Sequence, residues 1–381
     1  MPPPKSLLIP ASLAVLGLLA LLWWKTSSKD PHQSPSQGSG SSRTSVHSGT
    51  PANDPLGAAF KRLQQKPDRT DTIQTLKELQ AALKSMPRDE ALKWIRSFLA
   101  TGQDQNTGLP FEIAAGGTLA TWPTFRTFLL DTLLAIDPES AVQISRDVLA
   151  KLTTADEWAL ALRNVGKVGK SPDANAYLIE KTEALIANPA WQASPSVGYL
   201  NAFDVLVHTH ATASTPLLSS LIQQKDRRDL AHAGFLTLDR LVQSNPADVL
   251  PLLAADQALL ESRPEMVAQQ FARADLRDPT QQEIVRTWLL DPARTATELR
   301  SFAAVYPNNN RFVSNNLLTA ESPQSGATLA EHDRQVLDII KSWSADPAFQ
   351  PIAEHLRTMT TRLNSFVGNP QTPPPPAPDS P

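Results

Sequence analysis

Acidic or amide residues followed directly by proline recur along this chain, at Asp54-Pro55, Asp137-Pro138, Asn188-Pro189, Asn245-Pro246, Asp278-Pro279, Asp291-Pro292 and Asp346-Pro347, with Ser171-Pro172 as a hydroxyl version. Each pair is a helix-start signal. The side-chain oxygen accepts from first-turn amides at the N-cap, and proline at N1 lacks only an N–H that had no intrahelical acceptor. Apolar residues behind the pairs fall at helical spacing, as Ala141, Ile144, Val148 and Leu149 do after Asp137. Further amphipathic runs are Ile73-Leu76-Leu79-Leu83, Leu92-Ile95-Phe98-Leu99, Phe125-Phe128-Leu129-Leu133, Leu230-Leu238-Leu241-Val242 and Val336-Ile339-Ile340-Trp343. No segment alternates β-branched and polar residues between turn signals, the mark of a strand. The pattern predicts an all-α body of roughly sixteen helices between residues 54 and 368.

Short connections between helices of similar length imply antiparallel hairpins, and a series of such hairpins resembles the α-solenoids of the HEAT and tetratricopeptide type. That resemblance implies that each pair buries its apolar face by stacking on the next. The spacing between helix starts is irregular, so the expected form is an irregular α-solenoid, with an irregular helical domain as its rival.

Ahead of this body lies the apolar run LLIPASLAVLGLLALLWW, Leu7 to Trp24, fenced by Lys5 and by Lys25 and Lys29. About 18 residues at ~1.5 Å rise reach nearly across a bilayer's ~30 Å hydrocarbon core. Leu7, Leu13, Leu16, Leu19 and Leu22 would face lipid, and Trp23 and Trp24 would sit at the interface. A cleavable signal peptide would place small residues after the apolar stretch; this one ends in leucines and tryptophans, so residues 1–25 are expected to stay as a single-pass anchor. Flanking charge is nearly balanced. The expected topology keeps the short N-terminal segment inside and the body outside the cytoplasm. Residues 26–53 are rich in Ser, Gly and Pro, with almost no large apolar side chain, and read as a disordered tether. Residues 369–381, NPQTPPPPAPDSP, read as a proline-rich tail of polyproline II type, a solvated terminus or a docking strip.

Composition narrows the chemistry. With 35 basic and 38 acidic residues spread along the chain, there is no basic footprint for nucleic acid. Zero cysteines exclude disulfides, thiolate metal sites and a cysteine nucleophile. No zinc-protease, nucleophile-elbow, P-loop or dinucleotide motif is present, and no cofactor is expected. His208 and His210, at i and i+2, would point apart on a helix and cannot share a metal. Gly166, Gly169 and the neighbouring lysines suit a helix C-terminus ahead of Ser171-Pro172. Trp94, Trp122, Trp158, Trp191, Trp288 and Trp343 are scattered and suit core packing. The acid pairs Asp89-Glu90 and Asp156-Glu157 complement helix dipoles at first turns.

Two stretches break the helical pattern and carry apolar and amide side chains together. In 101–122 the candidates for contact with a partner are Phe111, Glu112 and Trp122; in 306–319 they are Asn309, Arg311 and Phe312. The sequence therefore predicts a membrane-anchored helical scaffold that binds a protein or peptide at the cell envelope and has no catalytic centre. The alternatives are an all-α enzyme acting on envelope polysaccharide, whose acid pair would form only in three dimensions, and a cytoplasm-facing recruiter of soluble partners.

Overall fold

In the computed structural model, which describes residues 54–311, 314–321 and 325–368, most of the proline pairs mark helix starts. Asp54 caps α1 (Pro55–Gln64), accepting from the Gly57 amide at 2.9 Å. Next come α2 (Arg69–Ser85) and α3 (Arg88–Ala100), then α4 (Phe125–Ile136) and α5 (Pro138–Leu149), and then α6 (Ala155–Val168) and α7 (Pro172–Ala187). Their apolar stripes are the ones the spacing marks. Leu76, Leu79 and Leu83 of α2, Leu92 and Ile95 of α3, and Phe125, Phe128, Leu129 and Leu133 of α4 are all buried. Stripes of this kind hold a helix by removing apolar surface from water at about 25 cal/mol per Å².

The chain continues through the short helices α8 (Pro189–Ala193), α9 (Val197–Ala202) and α10 (Asp204–His208) into α11 (Thr215–Ile222) and α12 (Arg228–Ser244). After these come α13 (Pro246–Ala255), α14 (Gln257–Ser262), α15 (Pro264–Phe271), α16 (Pro279–Leu290) and α17 (Ala296–Val305). The last two, α18 (Gly326–Ala345) and α19 (Ala353–Gly368), form a hairpin through a 3₁₀ turn at Pro347–Ile352. Packing is mostly between near neighbours in sequence: α5 on α6, α6 on α7 and α9, α11 on α12, α15 on α17, and α18 on α19. One apolar core cluster runs from Leu56 to Leu363. Aromatic pairs stitch it, with Trp158 against Trp191 at 5.2 Å and Trp288 stacked on Phe271 at 4.5 Å between ring centres.

Asp291-Pro292 is corrected by the structure. Asp291 accepts from the Ala293 amide in a turn, and α17 begins only at Ala296, behind a Thr295–Glu298 capping box. The expectation of no strands is also corrected in 101–122, where β1 (Glu112–Ile113) and β2 (Leu119–Thr121) form a small antiparallel ribbon. None of the described helices is long and apolar enough to cross a membrane. The run from Leu7 to Trp24, the tether, the proline-rich tail and Phe312 lie outside the described residues.

The two interruptions of the helical pattern meet each other. Gly117, at φ +78°, packs so closely on the Leu317 backbone that a β-carbon there would overlap its carbonyl. Gly166 inside α6 makes room for Leu318, whose Cδ1 would lie 2.6 Å from an added β-carbon. Asn315 Nδ2 donates to the Ile113 carbonyl at 3.2 Å. Residues 314–321 thus form an arm that lies against α6, α10 and the ribbon.

Candidate functional site

Two ion pairs, one buried and one half-buried, bolt these segments down. Asp131 of α4 accepts from the Leu119 amide at 3.2 Å and from Trp122 Nε1 at 2.8 Å, and it pairs with Arg163 of α6, which also donates to the Gly117 carbonyl at 2.9 Å. On the arm, Asp204 accepts from the amides of Leu318 at 2.7 Å and Thr319 at 3.1 Å, and pairs with Arg240 of α12 at 2.9 Å. Arg240 in turn reaches Glu321 and the Thr319 hydroxyl. The consequence for the expected contact residues is direct. Phe111 and Trp122 are only 6% and 3% exposed and belong to the apolar core cluster. Glu112 is exposed on the ribbon.

Asn309 and Arg311 fall elsewhere, on the wall of a cavity of about 310 Å³. Its lining is assembled from distant stretches: Gln243, Ser244 and Pro246 where α12 meets α13; Arg273, Asp275 and Arg277 after α15; Gln281 of α16; Asn308, Asn309 and Arg311 after α17; and Thr328, Leu329 and His332 of α18. Rigid helices therefore hold most of the wall, and the amide-rich stretch completes it.

The three guanidiniums differ in what they hold. Arg273 is bidentate to Asp239, both contacts at 2.8 Å, and caps the Asn308 carbonyl at 2.7 Å, so it positions the 308–310 backbone. Arg277 is forked onto Asp275 at 2.9 and 2.7 Å. Burial opposes the charge on Asp275, yet the Arg277 hydrogen bonds and the nearby His332 and Arg277 charges hold its carboxyl below the ordinary carboxylate range. Arg311 is exposed and has no ion-pair partner among the described residues.

His332 sits between two carboxylates. Its Nδ1 lies 2.9 Å from Asp333 Oδ1, which assigns the proton to Nδ1, while Nε2 is 3.7 Å from Asp275 Oδ1, beyond hydrogen-bond reach. Asn309 Nδ2 braces the same Asp333 oxygen at 3.3 Å. A histidine oriented by an aspartate is the frame of a general base, but the two hydroxyls of the wall are turned to other partners. Thr328 Oγ1 bonds Ser325 at 2.6 Å, and Ser244 Oγ bonds the Arg240 carbonyl at 3.0 Å.

The remaining expectations from the sequence have structural places. His210 Nδ1 is 2.9 Å from Asn245 Oδ1, and burial pushes the His208 imidazole below its ordinary range. Asp89 and Glu90 lie in the first turn of α3. Glu157 is forked onto Arg126 at 3.0 and 2.8 Å. Asp156 accepts from the Ser196 hydroxyl at 2.6 Å and the Gly198 amide at 2.9 Å, and its burial raises the carboxyl above the usual range. A more open furrow between α3 and α5, of about 660 Å³, carries Arg96, Arg126, Asp147 and Lys151 over Leu99, Ile144 and Val148. Its Arg126 is already engaged by Glu157. Arg273, Asp275 and Arg277 escaped the sequence reading because each is an ordinary charged residue beside a helix, and His332, read from the sequence as a lone satisfied imidazole, meets them only through folding. Comparison with known proteins returns no matching family, no similar curated protein and no similar solved structure.

Proposed function

We propose that this chain is a single-pass, membrane-tethered scaffold whose irregular α-solenoid body binds a protein or peptide partner outside the cytoplasm. The observation that carries the reading is the polar cavity, where Arg311 and the side-chain amides of Asn308 and Gln281 stand ready while the wall's other two guanidiniums, Arg273 and Arg277, are held by carboxylates. Such a wall recognises without reacting. Polysaccharide cleavage would need a second carboxyl, kept protonated, facing a charged one, and Asp275 is the single carboxylate among the residues that line the cavity. The apolar run from Leu7 to Trp24 and the polar tether behind it support membrane attachment with freedom of reach.

The full-length chain is expected in the carbonate-resistant membrane fraction, and a chain of residues 54–381 in the soluble fraction with the same helical circular dichroism per residue. Affinity capture of the full-length chain from detergent-solubilised membranes should recover a partner that the Asn309→Ala/Arg311→Ala double variant loses. Full-length chain in the soluble fraction would remove the anchor from this reading. A captured partner indifferent to the double variant would remove the cavity from the binding surface. A cysteine placed at Ser39 should react with a membrane-impermeant maleimide in cells whose inner membrane is intact; protection until that membrane is lysed would put the body in the cytoplasm.

A further inference from the structure

We infer that the cavity takes a carboxylate carried by a peptide, with Arg311 as its anchoring cation; this rests on the scaffold reading above and gives its partner a chemistry. The inference comes from which polar groups in the wall are engaged and which are not. Arg273 has committed its fork to Asp239 and its remaining donors to the 308–310 backbone. Arg277 has committed its fork to Asp275. Of the three guanidiniums that line the cavity, Arg311 alone has no partner among the described residues, and the fork of an arginine matches the two oxygens of one carboxylate.

The acids of the site decide between anions. Asp275 is about a third exposed at the wall, and Asp333 lies directly behind His332. A phosphate dianion brought beside Asp275 would set two like charges against it with one free cation to balance them. A carboxylate carries half that charge and is the better match. Around Arg311 the wall offers groups that both give and accept. Gln281 uses its Oε1 on the Asp275 amide at 2.8 Å, and its NH₂ has no partner among the described residues. The Asn308 backbone is occupied at both ends, and its side-chain amide has no partner among the described residues. Side-chain amides are matched to a peptide backbone, which alternates N–H and C=O. Among the lining residues there is no Trp, Tyr or Phe face on which a sugar ring or a base would stack. A volume of about 310 Å³ holds one or two residues of an extended chain, not a folded surface.

Fluorescence anisotropy on the full-length chain in detergent micelles tests this with three labelled probes. They are Gly-Ser-Ala-Ser-Ala with a free C-terminal carboxylate, the same peptide amidated, and amidated Gly-Ser-Ala-Glu-Ala. At least one carboxylate probe should bind about tenfold more tightly than the neutral probe. Preference for the free acid assigns a chain terminus, and preference for the glutamate probe assigns an acidic side chain. Arg311→Ala should erase the difference, and Arg311→Lys should retain part of it, with the thermal midpoint of both variants unchanged because Arg311 is exposed. Equal binding of the three probes, no binding of any, or a carboxylate preference that survives Arg311→Ala would overturn the inference. So would competition by inorganic phosphate at lower concentration than acetate. Failure here with capture from membranes still dependent on Asn309 and Arg311 would leave the scaffold standing with a different ligand class. Loss of capture itself would instead sink the scaffold reading.

Discussion

Replacing Asp131 with alanine is expected to lower the unfolding free energy by roughly 3–5 kcal/mol, the usual cost of leaving a buried charge without its partner. Arg163 is wholly inaccessible and Asp131 is 3% exposed at its side chain, so the change leaves a guanidinium buried without its counter-charge. The same change removes the acceptor of the Leu119 amide and the Trp122 indole N–H, which frees the ribbon from α4. Urea denaturation followed by tryptophan emission measures the loss. A double change to apolar residues, Asp131→Leu with Arg163→Met, should recover only the part of the loss that comes from the stranded Arg163 charge, because the Leu119 amide, the Trp122 indole N–H and the Gly117 carbonyl stay without their partners. A loss below about 1 kcal/mol for Asp131→Ala would mean that the bolt is not closed in solution.

Asp204→Ala should release the arm. The carboxylate holds two arm amides and Arg240 at once, and Arg240 holds Glu321 and Thr319, so one substitution opens the whole clasp. The expected cost is on the order of 3 kcal/mol. More telling is where it appears: trypsin should cut after Arg311 at least about tenfold faster, since local opening sets the rate of proteolysis. Leu318 would then leave the space that Gly166 provides. Unchanged cleavage would show that packing of Leu317 and Leu318 holds the arm without Asp204.

The helices were legible because their causes are local. Asp54, Ser171, Asn188, Asp278 and Asp346 all cap the helices or turns that their prolines begin. Where a tertiary partner competes, the same dipeptide behaves differently. Asp137 starts α5 but gives an oxygen to Arg88 at 2.7 Å, and Asn245 starts α13 but turns to His210. The ribbon was hidden because strands of two and three residues are too short to show alternation. Phe111 and Trp122 were contact candidates because a glycine-rich stretch suggests a loop, although the scatter of the tryptophans also suited Trp122 to core packing, and the Asp131 and Arg163 bolt helps hold the stretch inward. Buried pairs such as Arg273 with Asp239 read in sequence as solvated helix charges. Of the cavity, the sequence marked Asn309 and Arg311 by their amide-rich surroundings; the residues opposite them come from four other stretches that only folding brings together.

Photo-crosslinking in cells addresses the central claim, that this body works by binding at the cavity. A photoreactive residue at Asn310, exposed on the rim between Asn309 and Arg311, is compared with one at Lys77, exposed on α2. The account predicts a discrete adduct from position 310, none from position 77, and loss of the adduct when Arg311→Ala is added. An adduct of equal yield at both positions, or one at 310 that survives Arg311→Ala, would contradict it.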